Sequence, residues 1–345
     1  MRKFKIFLTF SFFLFALSWV LIPVYYTLPY KKPPGPLLDD RLKKTYQDHL
    51  VETQPELVLL GDSTLLDSID EPYLAELLDK DSYRIGKPGS ASAIWYLLLK
   101  NNIITSPHKP SHLIIFFRGS MLTSPEYRTR GKYEPLVTEL ALSDDFLLQE
   151  LAYTSQMGWL EEQADQFLPL FAYRQHLRTS IERLVKYKFF QKMMDVERIK
   201  IDQALDVVFG EPDIAQVNAI INAAEDYLYQ PEKLDFYSQL PKSFLPEIVR
   251  LCHENNIQLT VVRTKSLTYA SSEEAPKGLD AYISNLQEYL AENKIVFIDY
   301  AEDERLPVSL FNDSVHMSKN GAEIFTEIFA ADYQDILAND ENTHE

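Results

Sequence analysis

Cysteine is almost missing from this chain. Cys252 is the only one among 345 residues, which excludes an intrachain disulfide and any metal site built on several thiolates. Basic residues are also outnumbered. Thirty-four Lys and Arg stand against 51 Asp and Glu, for a formal net charge of −17. A nucleic-acid partner needs a basic face to neutralise phosphates, so nucleic acid is excluded as the expected partner. No Walker sequence and no Gly-x-Gly-x-x-Gly occurs, so neither phosphate-cradling loop is expected. His49, His108, His112, His176 and His253 are scattered without metal-ligand spacing. No metal and no cofactor is implied, and no internal repeat is visible.

Charge is absent in a more telling place. Residues 6–26 carry none and are mostly Phe, Leu, Ile and Val. About 20 such residues suffice to cross a bilayer as a helix. Arg2, Lys3 and Lys5 precede the run, which favours a cytoplasmic N-terminus. The stretch is long for a removed signal peptide, and no small-x-small cleavage site comes after it. The expectation is an uncleaved signal anchor over residues 1–30, in contact with lipid through residues 6–26. The protein would then be a single-pass cell-membrane protein with its remainder outside the cytoplasm, periplasmic in a Gram-negative cell. Cys252 reads as a core residue.

Beyond the anchor, strand and helix patterns alternate. Lys31-Lys32-Pro33-Pro34-Gly35-Pro36 opens an expected stalk over residues 31–50. Strand-like runs then fall at 56–60, 83–85, 112–117, 259–262 and 295–298. Helical patterns occupy 71–79, 94–104, 245–254, 279–291 and 321–329. Asp70 and Pro72 mark the start of the first of these, and Asn320 with Glu323 the start of the last. Such alternation predicts an α/β domain with a central parallel sheet over residues 51–335, followed by a tail at 336–345. Between about 121 and 240 no buried strand is evident. Tyr153, Trp159, Phe167, Phe171, Tyr173, Leu177, Ile181 and Leu184 recur there at helical spacing. A helical insertion is expected, its aromatic stripe most simply core, and its sharper reading a cap shaping a substrate cleft.

Two short motifs carry chemistry. Glu56-Leu57-Val58-Leu59-Leu60 runs into Gly61-Asp62-Ser63-Thr64, which reads as a buried strand delivering Ser63 at its carboxyl end. Gly61 is expected to permit the sharp turn, and Asp62 to hold it. About 250 residues later stands Asn312-Asp313-Ser314-Val315-His316. An Asp-x-x-His loop can supply a general base and the carboxylate that orients it. Alone, Gly-Asp-Ser is common in turns and Asp-x-x-His can merely cap a helix. Together, at the two ends of an α/β domain, they propose an acyl-transfer site with Ser63, His316 and Asp313.

These motifs resemble the blocks of the SGNH, or GDSL-like, hydrolases. Gly61-Asp62-Ser63 matches the first block and Asp313 with His316 the last. Pro88-Gly89-Ser90-Ala91 stands where that family has its oxyanion glycine, making Gly89 the candidate. The resemblance covers residues 56–120 and 245–330. It implies a flavodoxin-like three-layer α/β/α sandwich, with the helical insertion outside it. The third block departs from Gly-x-Asn-Asp. Phe117-Arg118-Gly119-Ser120 places Ser120 in the Asn position. The implied oxyanion hole is then Ser63, Gly89 and Ser120, with Arg118 and Arg263 as candidate substrate-binding cations. The whole architecture resembles the membrane-anchored, polysaccharide-modifying branch of that family. This resemblance implies a serine acyltransferase or esterase acting on acyl groups of a cell-surface polysaccharide, beside a membrane-bound O-acyltransferase. The alternative expectation is a catalytically weak scaffold that binds polysaccharide or such a partner.

Overall fold

The computed structural model describes residues 2–26, 30–32, 35–38, 45–184, 226–269 and 276–341. They divide into two compact units. One joins Met1–Leu37 with Phe146–Gln216; the other joins Leu38–Asp145 with Val217–Glu345.

The second unit contains a five-stranded sheet. Its strands are β1 (Leu57–Gly61), β2 (Ser82–Gly86), β3 (His112–Phe117), β4 (Gln258–Arg263) and β5 (Val296–Asp299). All pairings are parallel and the order is β2-β1-β3-β4-β5. Strand order reverses between β1 and β3, which is where α/β sheets of this order open a crevice at their carboxyl ends. Every residue of β1 is buried, because helices cover both faces and alternate side chains enter both cores. Leu57, Leu59, Ile114, Phe116 and Val262 enter one core with Leu65, Leu74, Phe325, Phe329 and Tyr333. Helices Ser63–Ser68, Glu71–Leu78 and Lys319–Glu341 cover that face, the last touching the other two. Helices Ser92–Leu98 and Leu245–Glu254, which also touch one another, and Leu279–Glu292 complete the layers. The expected three-layer α/β/α architecture is present.

Three expectations about this unit are corrected. The last helix begins at Lys319, two residues before the predicted start, and Ser318 rather than Asn320 caps it, with Ser318 Oγ accepting from the Gly321 N–H at 3.1 Å. The same helix runs to Glu341, well into the predicted tail. Ile336 and Leu337 pack against the core there, and Gln334 Nε2 donates to the Leu77 carbonyl at 2.7 Å. The predicted stalk over 31–50 is not an extended linker where described. Thr45–Thr53 is a helix with Tyr46 and Leu50 buried, apolar residues one turn apart. Residues 342–345 of the tail and 33–34 and 39–44 of the stalk lie outside the described residues.

The first unit contains the N-terminal helix Arg2–Tyr26. Its segment Phe4–Tyr25, 22 residues, is long and apolar enough to cross a membrane. Phe7, Phe10, Phe12, Phe13, Val20 and Val24 are exposed on it. Lys32 is buried in this unit, paired with Asp165 at 2.8 Å, and Asp165 also accepts from the Gly35 N–H and from Arg174. The predicted aromatic stripe is only partly core. Tyr153 and Tyr173 are buried, whereas Trp159, Ile181 and Leu184 are exposed. The predicted insertion is thus divided: 146–184 belongs to this unit, while 121–145 and 226–240 belong to the unit with the sheet. Residues 185–225 of the insertion lie outside the described residues.

Candidate active site

Ser63 stands one residue beyond the Asp62 cap that follows β1. Asp62 is extended, at φ −93° and ψ −152°, and its carboxylate accepts from the Thr64 N–H at 2.9 Å and the Thr64 hydroxyl at 2.6 Å. That cap starts the helix Ser63–Ser68 and brings Ser63 to the carboxyl end of the strand. Gly61 is needed here for a reason other than the one expected. A Cβ on it would lie 2.5 Å from Leu65 Cβ, so glycine lets the first helical turn fold back against the strand.

Asp62 is fully buried, and its counter-charge is Arg118, whose Nη1 donates to Asp62 Oδ2 at 2.6 Å. Burial pushes the Asp62 carboxyl up, but the Arg118 charge and the bonds from Thr64 and Arg118 outweigh it. The net effect holds this carboxyl below the usual carboxylate range.

His316 comes from the loop between β5 and the last helix. The Phe311–Met317 bridge closes this loop, together with the Asn312 N–H donated to the His316 carbonyl at 2.8 Å. Asp313 organises the inside of the loop. Its Oδ1 accepts from the Val315 N–H at 2.9 Å and the His316 N–H at 2.8 Å. Its Oδ2 lies 2.7 Å from His316 Nδ1, and His316 Nε2 lies 2.9 Å from Ser63 Oγ. Burial raises the Asp313 carboxyl, but the two backbone N–H groups and His316 bring it below its ordinary value. The three side chains form one hydrogen-bonded line.

Gly89 flanks the same space. Its φ is +76°, and a Cβ would meet Tyr133 Cε1 at 2.3 Å, so both conformation and room demand glycine. Its loop is clipped to β1, the strand that leads to Ser63. The Gly61 carbonyl accepts from the Lys87 N–H at 3.0 Å and the Ser90 hydroxyl at 2.9 Å, and Trp95 Nε1 donates to Ser90 Oγ at 3.0 Å. Ser90 and Trp95 are fully buried positioning residues that the motif reading passed over. The structure thus brings Ser63, His316, Asp313 and Gly89 together at the carboxyl edge of the sheet.

The cavity beside them measures about 500 Å³ and is lined by Ser63, His316, Val315, Gly89 and Arg118, with Arg128, Lys132, Tyr133, Pro135, Leu136 and Glu139 also on its wall. Residues 128–139 fall in the predicted insertion, so part of it does shape the cleft. Their signal in the sequence was Arg128-Thr129-Arg130-Gly131-Lys132-Tyr133, three cations in five residues of an acidic chain.

Two predicted site residues are placed elsewhere. The Ser120 hydroxyl donates to the Leu228 carbonyl at 2.7 Å, lies 3.0 Å from Ser124 Oγ, and does not line the cavity. A serine has a single hydroxyl proton, and here it is committed away from Ser63. Arg263 also lies off the cavity, because its register opposite Asp299 brings the two into an ion pair at 3.0 Å. Arg118 reaches the cavity wall, but as the partner of Asp62. Cys252 is buried and its thiol is pushed up to about 12. Among the described residues no group of His, Cys, Asp or Glu is arranged to hold a metal ion.

No protein-family model and no curated protein matches this chain. Solved structures do. A GDSL-like lipase from Bacteroides thetaiotaomicron is 12% identical, with a TM-score of 0.38 over 85% of this chain and 98% of that one. A mutant acetyl-xylooligosaccharide esterase from Geobacillus stearmophilus is 13% identical, with a TM-score of 0.38 over 80% and 92%. A lipase/acylhydrolase from Enterococcus faecalis is 14% identical, with a TM-score of 0.32 over 80% and 94%.

Proposed function

We propose that this protein is an SGNH-type serine acyltransferase or esterase with Ser63 as nucleophile. The observation that carries the reading is the unbroken line from Ser63 Oγ to His316 to Asp313 at 2.9 and 2.7 Å, on the wall of a cavity. Ser63 Oγ attacks the acyl carbonyl carbon while His316 Nε2 takes its proton. Asp313 holds the other ring nitrogen protonated and stabilises the imidazolium that forms. The N–H groups of Ser63 and Gly89 face the developing oxyanion. The ester C–O bond then breaks, and the leaving oxygen receives the proton from His316. A water or a sugar hydroxyl, deprotonated by the same imidazole, attacks the acyl carbonyl; the bond to Ser63 Oγ breaks, and the serine oxygen takes the proton back from His316.

The substrate in this reading is an O-acyl group, acetyl in its simplest form, on a cell-surface polysaccharide. The N-terminal helix supports attachment to a cell membrane, with the site outside the cytoplasm and a membrane-bound O-acyltransferase as neighbour. The test uses the full chain in detergent with a chromogenic acetyl ester and a serine-directed phosphonate. Covalent labelling of Ser63, and loss of turnover in Ser63→Ala and His316→Ala, is the expected result. Parent rates in both variants would end this reading.

A second reading is favoured by Ser120, whose hydroxyl is already donated to Leu228. With that donor committed, the domain would be a catalytically weak scaffold binding polysaccharide or a membrane partner. Retained polysaccharide binding without phosphonate labelling of Ser63 would select it.

A further inference from the structure

Arg128 is the least explained charge beside the nucleophile. It lines the same cavity as Ser63 and His316, and so does Lys132. Neither cation has an ion-pair or hydrogen-bond partner among the described residues. That is unusual in a chain with 17 more acidic than basic side chains. The cavity's own carboxylate, Glu139, is not within ion-pairing distance of either.

What holds Arg128 in place is aromatic. Its guanidinium carbon lies 5.0 Å from the Tyr127 ring centre and 5.3 Å from that of Tyr133, and Lys132 Nζ lies 5.1 Å from Tyr133. Ring contacts of this kind fix a guanidinium's plane while leaving its N–H donors unspent. The backbone adds a second sign. Arg128 has φ +54°, a left-handed conformation that a glycine would adopt without strain. An arginine adopts that conformation at a cost that a glycine would avoid. Its position relative to the chemistry is the third sign. Arg128 Nη1 lies 3.2 Å from where a Cβ on Gly89 would be.

We infer that Arg128 and Lys132 form an anion-binding subsite holding a carboxylate or phosphate group carried by the substrate next to its acyl ester. The inference rests on reading this cavity as the acyl-transfer site. A planar guanidinium receives either oxyanion as a fork, and an ammonium adds a less directional charge. Substrates with a charged sugar unit are thereby preferred over neutral ones of the same size.

The experiment uses the full chain in detergent and three matched acetyl esters: a neutral hexoside, its uronate and its 6-phosphate. The expected result is that kcat/KM for one or both anionic esters exceeds that for the neutral ester by about tenfold at low salt. The anionic-to-neutral ratio should fall towards one in Arg128→Gln, fall partly in Lys132→Gln, and shrink in the parent as salt is raised. Which anionic ester leads tells carboxylate from phosphate. A parent ratio near one, or an unchanged ratio in a folded Arg128→Gln, overturns the subsite. Should Arg128→Gln not fold, Lys132→Gln and the salt series decide. Binding is read separately by calorimetry of Ser63→Ala with the uronate, the 6-phosphate and the neutral hexoside. Selective binding there without turnover in the parent keeps the subsite and refutes the acyl-transfer reading instead.

Discussion

Arg118 Nη1 lies 2.6 Å from Asp62 Oδ2, and both side chains are buried, the aspartate immediately before Ser63 in the chain. The pair shows how this site is anchored. Asp62 ties the turn through Thr64, and Arg118 makes that carboxylate tolerable in the interior. Removing the arginine alone leaves an uncompensated buried charge. Arg118→Ala should therefore lose about 3–5 kcal/mol of stability, measured by urea denaturation. The paired replacement of Arg118 by Met and Asp62 by Asn should lose much less. Equal losses in the two would show that the pair is not what stabilises the turn.

Acid should weaken the same region. Asp62 and Asp313 both have carboxyls lowered by folding. A group of this kind contributes stability that is present above its unfolded value, about 3.9, and lost as pH falls through the lower folded value. The urea midpoint should thus decline below about pH 4. The decline should be shallower in Asp62→Asn than in the parent. A parent midpoint that stays flat from about pH 5 to about pH 2 would contradict these shifts.

Asp313 does two jobs with two oxygens. An asparagine can still accept the Val315 and His316 N–H groups, but it cannot serve the imidazole as a charged acceptor. Asp313→Asn should fold like the parent while kcat drops by roughly 10⁴. A drop of less than about tenfold would remove Asp313 from the catalytic line.

Two glycines with positive φ separate strain from collision. Gly131, at φ +66°, has no atom within 4 Å of a built Cβ, whereas Gly89 would strike Tyr133. Gly131→Ala should cost about 1–2 kcal/mol and leave esterase turnover nearly intact. Gly89→Ala should cost more and also reduce turnover by about 10²–10³, through displacement of its N–H. Thermal melts and kcat on one ester read both effects.

Ser120 offers the sharpest comparison with the expected oxyanion hole. Its hydroxyl is spent on Leu228, so Ser120→Ala should lower stability by about 1 kcal/mol with only a small change in kcat. A loss of about 10²–10³ would instead make it an oxyanion donor.

The middle of the sheet was legible because its buried parallel strands are nearly unbroken apolar runs. Residues 56–60 and 112–117 could hardly be anything else, and the serine motif fell at a strand end. Less legible was whatever depends on approach in space. Ser318 and Asn320 are both sound caps by residue type, and the structure uses Ser318, whose hydroxyl accepts from the Gly321 N–H. The need for Gly61 came from Leu65, not from its own dihedrals. Ser120 occupies the right place in the sequence, yet its hydroxyl goes to a backbone carbonyl 108 residues away. Arg263 likewise met Asp299 across the sheet before it could meet a ligand.

Ser63 and His316 are separated by 253 residues. A ribosome therefore releases the serine long before it has made the imidazole. Until that last loop emerges, and the helix after it docks on Ser63–Ser68, the growing chain has a hydroxyl with no base beside it. On the proposed mechanism, any product cut short before Asp313 lacks its general base, however well its first strands have paired. On that mechanism, timing as much as geometry would keep this serine from acting early.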